Sequence, residues 1–242
     1  MYYPGRLGLD AKVILKKHKR EQSMQSKKLA CLFMACAALL LSGCASFRNN
    51  ELADVGKLPD VSRYANKPTV FVETHLFRGD PGQASLEILA IKEKLNASVK
   101  GTLDESALFS KYSFDEKDRA TSDYVIRLDI YNHGTPGLAA VAGFISGLTL
   151  TVIPAAATDN YTLQAKLLDN KGNLINASTN KDSITTWIGI LFLPMAGNTP
   201  EKAIFGTLDN QLKAVLKDLV ESGKLKYSLL QRLQMQYFAG QV

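Results

Sequence analysis

Tyr124-Val-Ile-Arg-Leu-Asp-Ile-Tyr131 and Tyr161-Thr-Leu-Gln-Ala-Lys-Leu167 are the two stretches that decide the fold. In the first, Tyr124, Ile126, Leu128 and Ile130 share one face, and Arg127 and Asp129 the other. In the second, Tyr161, Leu163, Ala165 and Leu167 oppose Thr162, Gln164 and Lys166. A pleated strand sends alternate side chains to opposite sides, so both stretches read as strands buried on one face. Asn170-Lys171-Gly172-Asn173 then makes a hairpin turn, and Leu174 to Thr186 is expected as the return strand.

Working outward, Thr69 to Phe77 is rich in β-branched and aromatic residues and reads as another strand. Asp80-Pro81-Gly82 signals a turn. Ser85 to Val99 reads as a helix, with Ile88, Ile91, Leu95 and Val99 at helical spacing and Gly101 as its stop. Leu108 to Phe114 is a short strand candidate, and Asp115 to Asp123 a charged loop. A last helix is expected from Thr199, where a threonine cap, Pro200 and Glu201 suit a helix N-terminus. Ile204, Leu208, Leu212, Val215, Leu216 and Leu219 form its apolar stripe, and Gly223 its end. The expected class is α+β: a mainly antiparallel sheet of about five strands with two helices on one face.

The charge distribution bears on function. The chain has 242 residues and a formal net charge of +6. Residues 1–43 hold 8 Lys and Arg against 2 Asp and Glu, and the rest of the chain is neutral. A nucleic-acid footprint requires a basic patch on the folded part, so no nucleic-acid partner is expected.

The basic excess belongs to a leader. From Met24, Lys27 and Lys28 precede a nearly unbroken apolar stretch from Ala30 to Leu41. This layout describes a secretory signal peptide, and the stretch is too short for a stable span. Translation is expected to start at Met24, because 1–23 only adds Lys12, Lys16, Lys17, Lys19 and Arg20 ahead of a complete leader. Leu41-Ser42-Gly43-Cys44 follows at once and resembles the lipobox of bacterial lipoprotein precursors. The resemblance implies recognition of Leu41, Ser42 and Gly43 by the signal peptidase, cleavage before Cys44, and diacylglycerol on its thiol. It further implies a membrane partner through the lipid. Ala45, next to the lipid cysteine, implies export to the outer membrane of a Gram-negative envelope. Cys31 and Cys36 lie within the leader, so the mature chain is left with no thiol beyond the lipidated one. The expected division is leader 1–43, lipidated tether 44–67 and one domain over 68–242.

Two uncharged stretches stand out, Gly134 to Thr158 and Ser183 to Pro200. The hairpin turn at Asn170–Asn173 lies at the far end, so both stretches return to one edge. A parallel βαβ crossover would start the Thr69 strand at that edge as well. Leu138, Phe144, Ile145, Leu148, Trp187, Leu191 and Phe192 are the candidate contacts. Three readings compete: core or partner-covered surface, a membrane-dipping surface with Trp187 at the interface, and a spanning helix at 137–156 with Gly143 and Gly147 as a close-packing pair.

Catalytic patterns are missing from the sequence. There is no GxSxG elbow, no HExxH and no phosphate-binding glycine loop. His75 and His133 are the mature chain's histidines, and they lack metal-ligand spacing. No cofactor and no metal are expected, only the acyl chains on Cys44. The element order and the lipobox together resemble, loosely, the small periplasmic lipoproteins that serve envelope transport or assembly machines. The expectation is a non-catalytic binding or scaffold subunit with an envelope protein partner. One alternative is an auxiliary subunit of a lipid or solute transport complex. Another is an enzyme resting on His133.

Overall fold

A computed structural model describes residues 43–134 and 153–229, together with 24, 25, 27 and 28. Its elements are β1 (Gly43–Arg48), β2 (Tyr64–Asn66), β3 (Thr69–Arg78), β4 (Leu86–Glu87), α1 (Lys92–Ser106), β5 (Lys111–Ser113), β6 (Tyr124–Gly134), β7 (Ala155–Asp169), β8 (Leu174–Gly189), α2 (Pro200–Glu221) and β9 (Ser228–Leu229). The class is α+β, as expected, but the sheet is larger. Seven strands run in the order β1-β8-β7-β6-β3-β4, with β5 also on β3, and β2 pairs with β9 apart from them. The pairing is mainly antiparallel, while β5 and β6 both run parallel to β3.

The alternating stretches became the sheet's centre. Tyr124, Ile126, Leu128 and Ile130 on β6, with Tyr161, Leu163, Ala165 and Leu167 on β7, join one buried cluster. Val70, Val72 and Leu76 of β3 extend it, and α1 and α2 cover it with Leu95, Val99, Leu103, Leu212, Leu216 and Leu219. The hairpin turn forms where expected. The Asp169 carboxylate accepts from the Lys171 and Asn173 amides, and Gly172 takes φ 87, a left-handed value that favours glycine.

The helices divide into one expectation met and one shifted. Thr199 caps α2, its hydroxyl accepting from the Lys202 amide at 3.3 Å, with Pro200 in the first turn. The first helix starts at Lys92, not Ser85, and passes Gly101 to end at Ser106. Leu86–Glu87 pairs with the end of β3 instead, and Leu89–Ile91 makes a 3-10 turn. Ile88 and Ile91 still pack on the core, but from outside the helix, so helical spacing there arose from two different local structures. Gly101 is exposed within α1, where a glycine costs only about 1 kcal/mol and cannot stop a helix that is packed on one side.

Two topological expectations are corrected. β6 lies parallel beside β3, so Thr69 begins at the far end, near the hairpin turn, and not at the edge carrying the apolar stretches. The tether expected over 44–67 is docked. Gly43–Arg48 pairs antiparallel with β8, from Gly43 opposite Gly189 to Arg48 opposite Ile184. Beyond β1, Asn210 of α2 holds the chain: its amide nitrogen donates to the Leu52 and Ala53 carbonyls, and its oxygen accepts from the Val55 amide. Val61 is then buried in the core. This arm carries the chain from β1 across α2 to the start of β3.

Candidate functional site

The site builds from the start of β1, at Gly43 and Cys44. Cys44 is exposed and sits opposite Ile188 on the outer strand of the sheet. Gly43 before it faces the turn that follows β8. A side chain there would put Cβ 2.4 Å from the Leu193 amide nitrogen, so only glycine fits this approach.

That turn, a 3-10 helix over Ile190–Met195, wraps the outside of β1. The Ser46 amide donates to the Asn198 carbonyl at 2.8 Å, which covers part of an otherwise open strand edge. Trp187 stacks on Phe192, with ring centroids 5.4 Å apart. Around this stack, Trp187, Ile190, Leu191, Met195 and Ile153 remain exposed, Leu191 by 69%. Full burial of an exposed side chain of this size is worth about 1.5–3 kcal/mol, and each of these retains part of that gain, so their exposure together at one end marks a surface suited to an apolar partner.

The structure brings Gly43, Cys44, Trp187, Leu191 and Phe192 to one end of the sheet. Leu41, Ser42, Leu138, Phe144, Ile145 and Leu148 lie outside the described residues. The spanning helix considered at 137–156 loses its last two residues to β7, which begins at Ala155. Among the described residues no helix is long and apolar enough to cross a membrane. Ile190, Met195 and Ile153 were not singled out from the sequence; their signal was membership of the two uncharged stretches.

The histidines have partners the sequence did not reveal. His133 Nε2 lies 2.8 Å from the Thr162 hydroxyl, and its Nδ1 3.5 Å from the Asp80 carboxylate. The order acid–histidine–hydroxyl is that of a nucleophilic triad. Thr162, however, is 1% exposed in the middle of β7, so its hydroxyl meets no substrate. The His133–Thr162 hydrogen bond ties β6 to β7, and the Asp80 carboxylate lies beside the ring. His75 Nδ1 lies 2.7 Å from Glu87 of β4, and its ring stacks along Phe77, which stacks on Tyr131. Among the described residues no group of three metal-ligating side chains converges.

Titration behaviour follows burial and pairing. Burial pushes the Tyr161 phenol well above its ordinary value, although Asn132 donates to it. Burial likewise pushes Tyr227 up to about 12. On the surface, hydrogen bonds from Lys100 and Tyr112 hold the Asp104 carboxyl below the usual carboxylate range.

No family model and no curated protein matches the chain. Among solved structures it is similar to a minor lipoprotein from Acinetobacter baumannii, at 10% identity and TM-score 0.34, over 66% of this chain and 98% of that one. It is similar to the PelC dodecamer from Paraburkholderia phytofirmans, at 10% identity and TM-score 0.30, over 73% and 97%. It is also similar to a DUF4136 family protein from Bacteroides thetaiotaomicron, at 10% identity and TM-score 0.29, over 75% and 97%. At these scores the likeness is one of backbone outline and carries no functional argument.

Proposed function

We propose that this chain is a cell-envelope lipoprotein, acylated on Cys44, that serves as a non-catalytic binding or scaffold subunit seated directly on the membrane. One observation carries the reading. The lipobox cysteine lies at the end of an edge strand, beside the exposed group Trp187, Ile190, Leu191 and Met195. A lipid on Cys44 would leave the fold at the end of the sheet that carries these exposed apolar side chains. With β1 paired to β8, no free linker separates the lipid from the domain, so the apolar end would enter the interfacial region. Acyl chains contribute about 0.8 kcal/mol per buried methylene, and adjacent apolar side chains add to that hold. Outer-membrane placement and an envelope protein partner belong to the same reading.

The test is metabolic labelling with a palmitate analogue in wild type and Cys44→Ser, followed by carbonate extraction of membranes. The reading expects label and membrane retention both to fall away in the variant. Label that persists in Cys44→Ser would overturn acylation at this residue.

A further inference from the structure

The arm that begins at Cys44 is fastened by a poorly matched set of buried polar groups. Arg48 ends β1, opposite Ile184, and its guanidinium reaches the fully buried Asp182 of β8 at 3.6 Å. That is close enough for charge pairing and too far for a hydrogen bond. Asp182 spends its other oxygen on the Glu51 and Ser183 amides. Across the layer, α2 passes close to Arg48 at Gly206, and the Gln211 carbonyl accepts from Asn180. Within this layer Arg48 Nε and Nη2, Asp182 Oδ2, Asn180 Oδ1, Thr207 Oγ1 and Gln211 Oε1 are buried with no hydrogen-bond partner. Arg48 Nη1 also pairs with the exposed Asp54 of the arm at 3.2 Å, but its pairing with Asp182 has neither the tight geometry nor the satisfied neighbours by which a buried ion pair recovers its desolvation cost.

The rest of the arm's attachment is polar: Asn49 hydrogen-bonds Ser183 and Thr185, and the Glu51 carboxylate accepts from the Ser183 hydroxyl. After cleavage β1 would keep five residues, Cys44–Arg48, paired on one side to β8 and tied on the other by Ser46 to Asn198. Asn210 then clips Leu52, Ala53 and Val55. Ala45 is fully buried at the sheet edge, and the next apolar side chain to be buried is Val61. The composition here, without helical or strand periodicity, is that of a linker.

We propose that residues 44–55 are a stored tether: a releasable arm that peels from β8 and α2 as a unit while the domain stays folded. Seated, the arm holds the apolar end against the lipid-bearing surface. Released, it frees eleven Cα–Cα steps, a reach of at most about 40 Å between the acylated cysteine and the domain. The arm belongs to the weakly held end of the stability range, where local opening precedes global unfolding. The effect on membrane distance rests on acylation at Cys44; the opening itself does not.

The experiment uses the full-length, purified protein in mild detergent and then in phospholipid vesicles. Ser46 and Thr186 are opposed across β1 and β8 with hydroxyls 2.7 Å apart, which makes Ser46→Cys with Thr186→Cys the locking pair. Hydrogen exchange followed by mass spectrometry should show peptide 44–55 exchanging together, about 100-fold faster than peptide 161–167 of β7. The oxidised double variant should slow the arm at least tenfold, and reduction should restore wild-type exchange, which also shows that the variant is folded. Arm amides that exchange no faster than β7 overturn the proposal. In vesicles, a donor at Lys171→Cys on the far turn and an acceptor lipid should give a near and a far population, the far one lost on locking. A single population that locking leaves unchanged overturns it too. If the wild type fails to bind vesicles, the acylation reading fails, and the exchange comparison alone decides the release.

Discussion

Trp187 on β8, opposite Ala45 of β1, stacks against Phe192 of the following turn with ring planes 28° apart, and it remains partly open to solvent. Trp187 is the chain's single tryptophan, so its fluorescence reports this end of the molecule alone. Binding of the lipidated protein to vesicles should shift its emission to the blue, and brominated lipids should quench it. Leu191→Asp should weaken the association at least tenfold, because a charge replacing an apolar side chain at a lipid surface costs more than about 1.4 kcal/mol. An emission spectrum indifferent to vesicles would place this surface away from lipid.

The core contrast is predicted from burial. Leu216 of α2 is 0% exposed within the main cluster, whereas Leu174 at the start of β8 is 59% exposed. Leu216→Ala should destabilise by about 2–5 kcal/mol, and Leu174→Ala by no more than about 0.5 kcal/mol. Urea midpoints of the two variants provide the comparison.

The His133–Thr162 contact predicts a non-additive pair. His133→Ala leaves the buried Thr162 hydroxyl short of a partner, which should cost about 1–3 kcal/mol. Thr162→Val in the same background removes the stranded hydroxyl and should recover part of that loss. A double-mutant cycle on unfolding midpoints measures the coupling. Additive losses would show that the histidine is held by Asp80 and packing instead.

An alkaline limb of the stability curve follows from the tyrosines. Tyr227 has a folded value near 12 against 10.0 for the free side chain, and burial is the main cause. A raised value means that the folded state keeps the phenol protonated where the unfolded chain has released it. Its contribution is therefore complete below pH 10 and is lost as pH rises toward 12. Tyr161 and Tyr131 are raised by burial in the same sense. Tyr227→Phe should move the alkaline unfolding midpoint upward and leave stability at pH 7 unchanged or higher, since the Tyr227 hydroxyl is buried without a hydrogen-bond partner. Thermal melts between pH 8 and 12 test the shift.

Some of this protein is written in short-range pattern, and some is not. The lipobox resemblance depends on four consecutive residues, Leu41 to Cys44. The β6 and β7 strands depend on a period of two, the turn into the return strand β8 on Asn170–Asn173, and the start of α2 on Thr199, Pro200 and Glu201. Each is a local preference, so reading neighbours along the chain recovers it. The helix at Lys92 was read too early because strand, 3-10 turn and helix placed apolar residues in succession that mimic one helical period. Only tertiary structure decided that the residues after Cys44 become an edge strand on β8, that β6 runs parallel beside β3, and that Asp80 meets His133 and Arg48 meets Asp182. The reason is that an edge strand is chosen by an open row of backbone donors and acceptors on a distant strand, and an ion pair by what folding brings within reach. Neither leaves a periodic mark in the segment itself, so a stretch with the composition of a tether ended as part of the sheet.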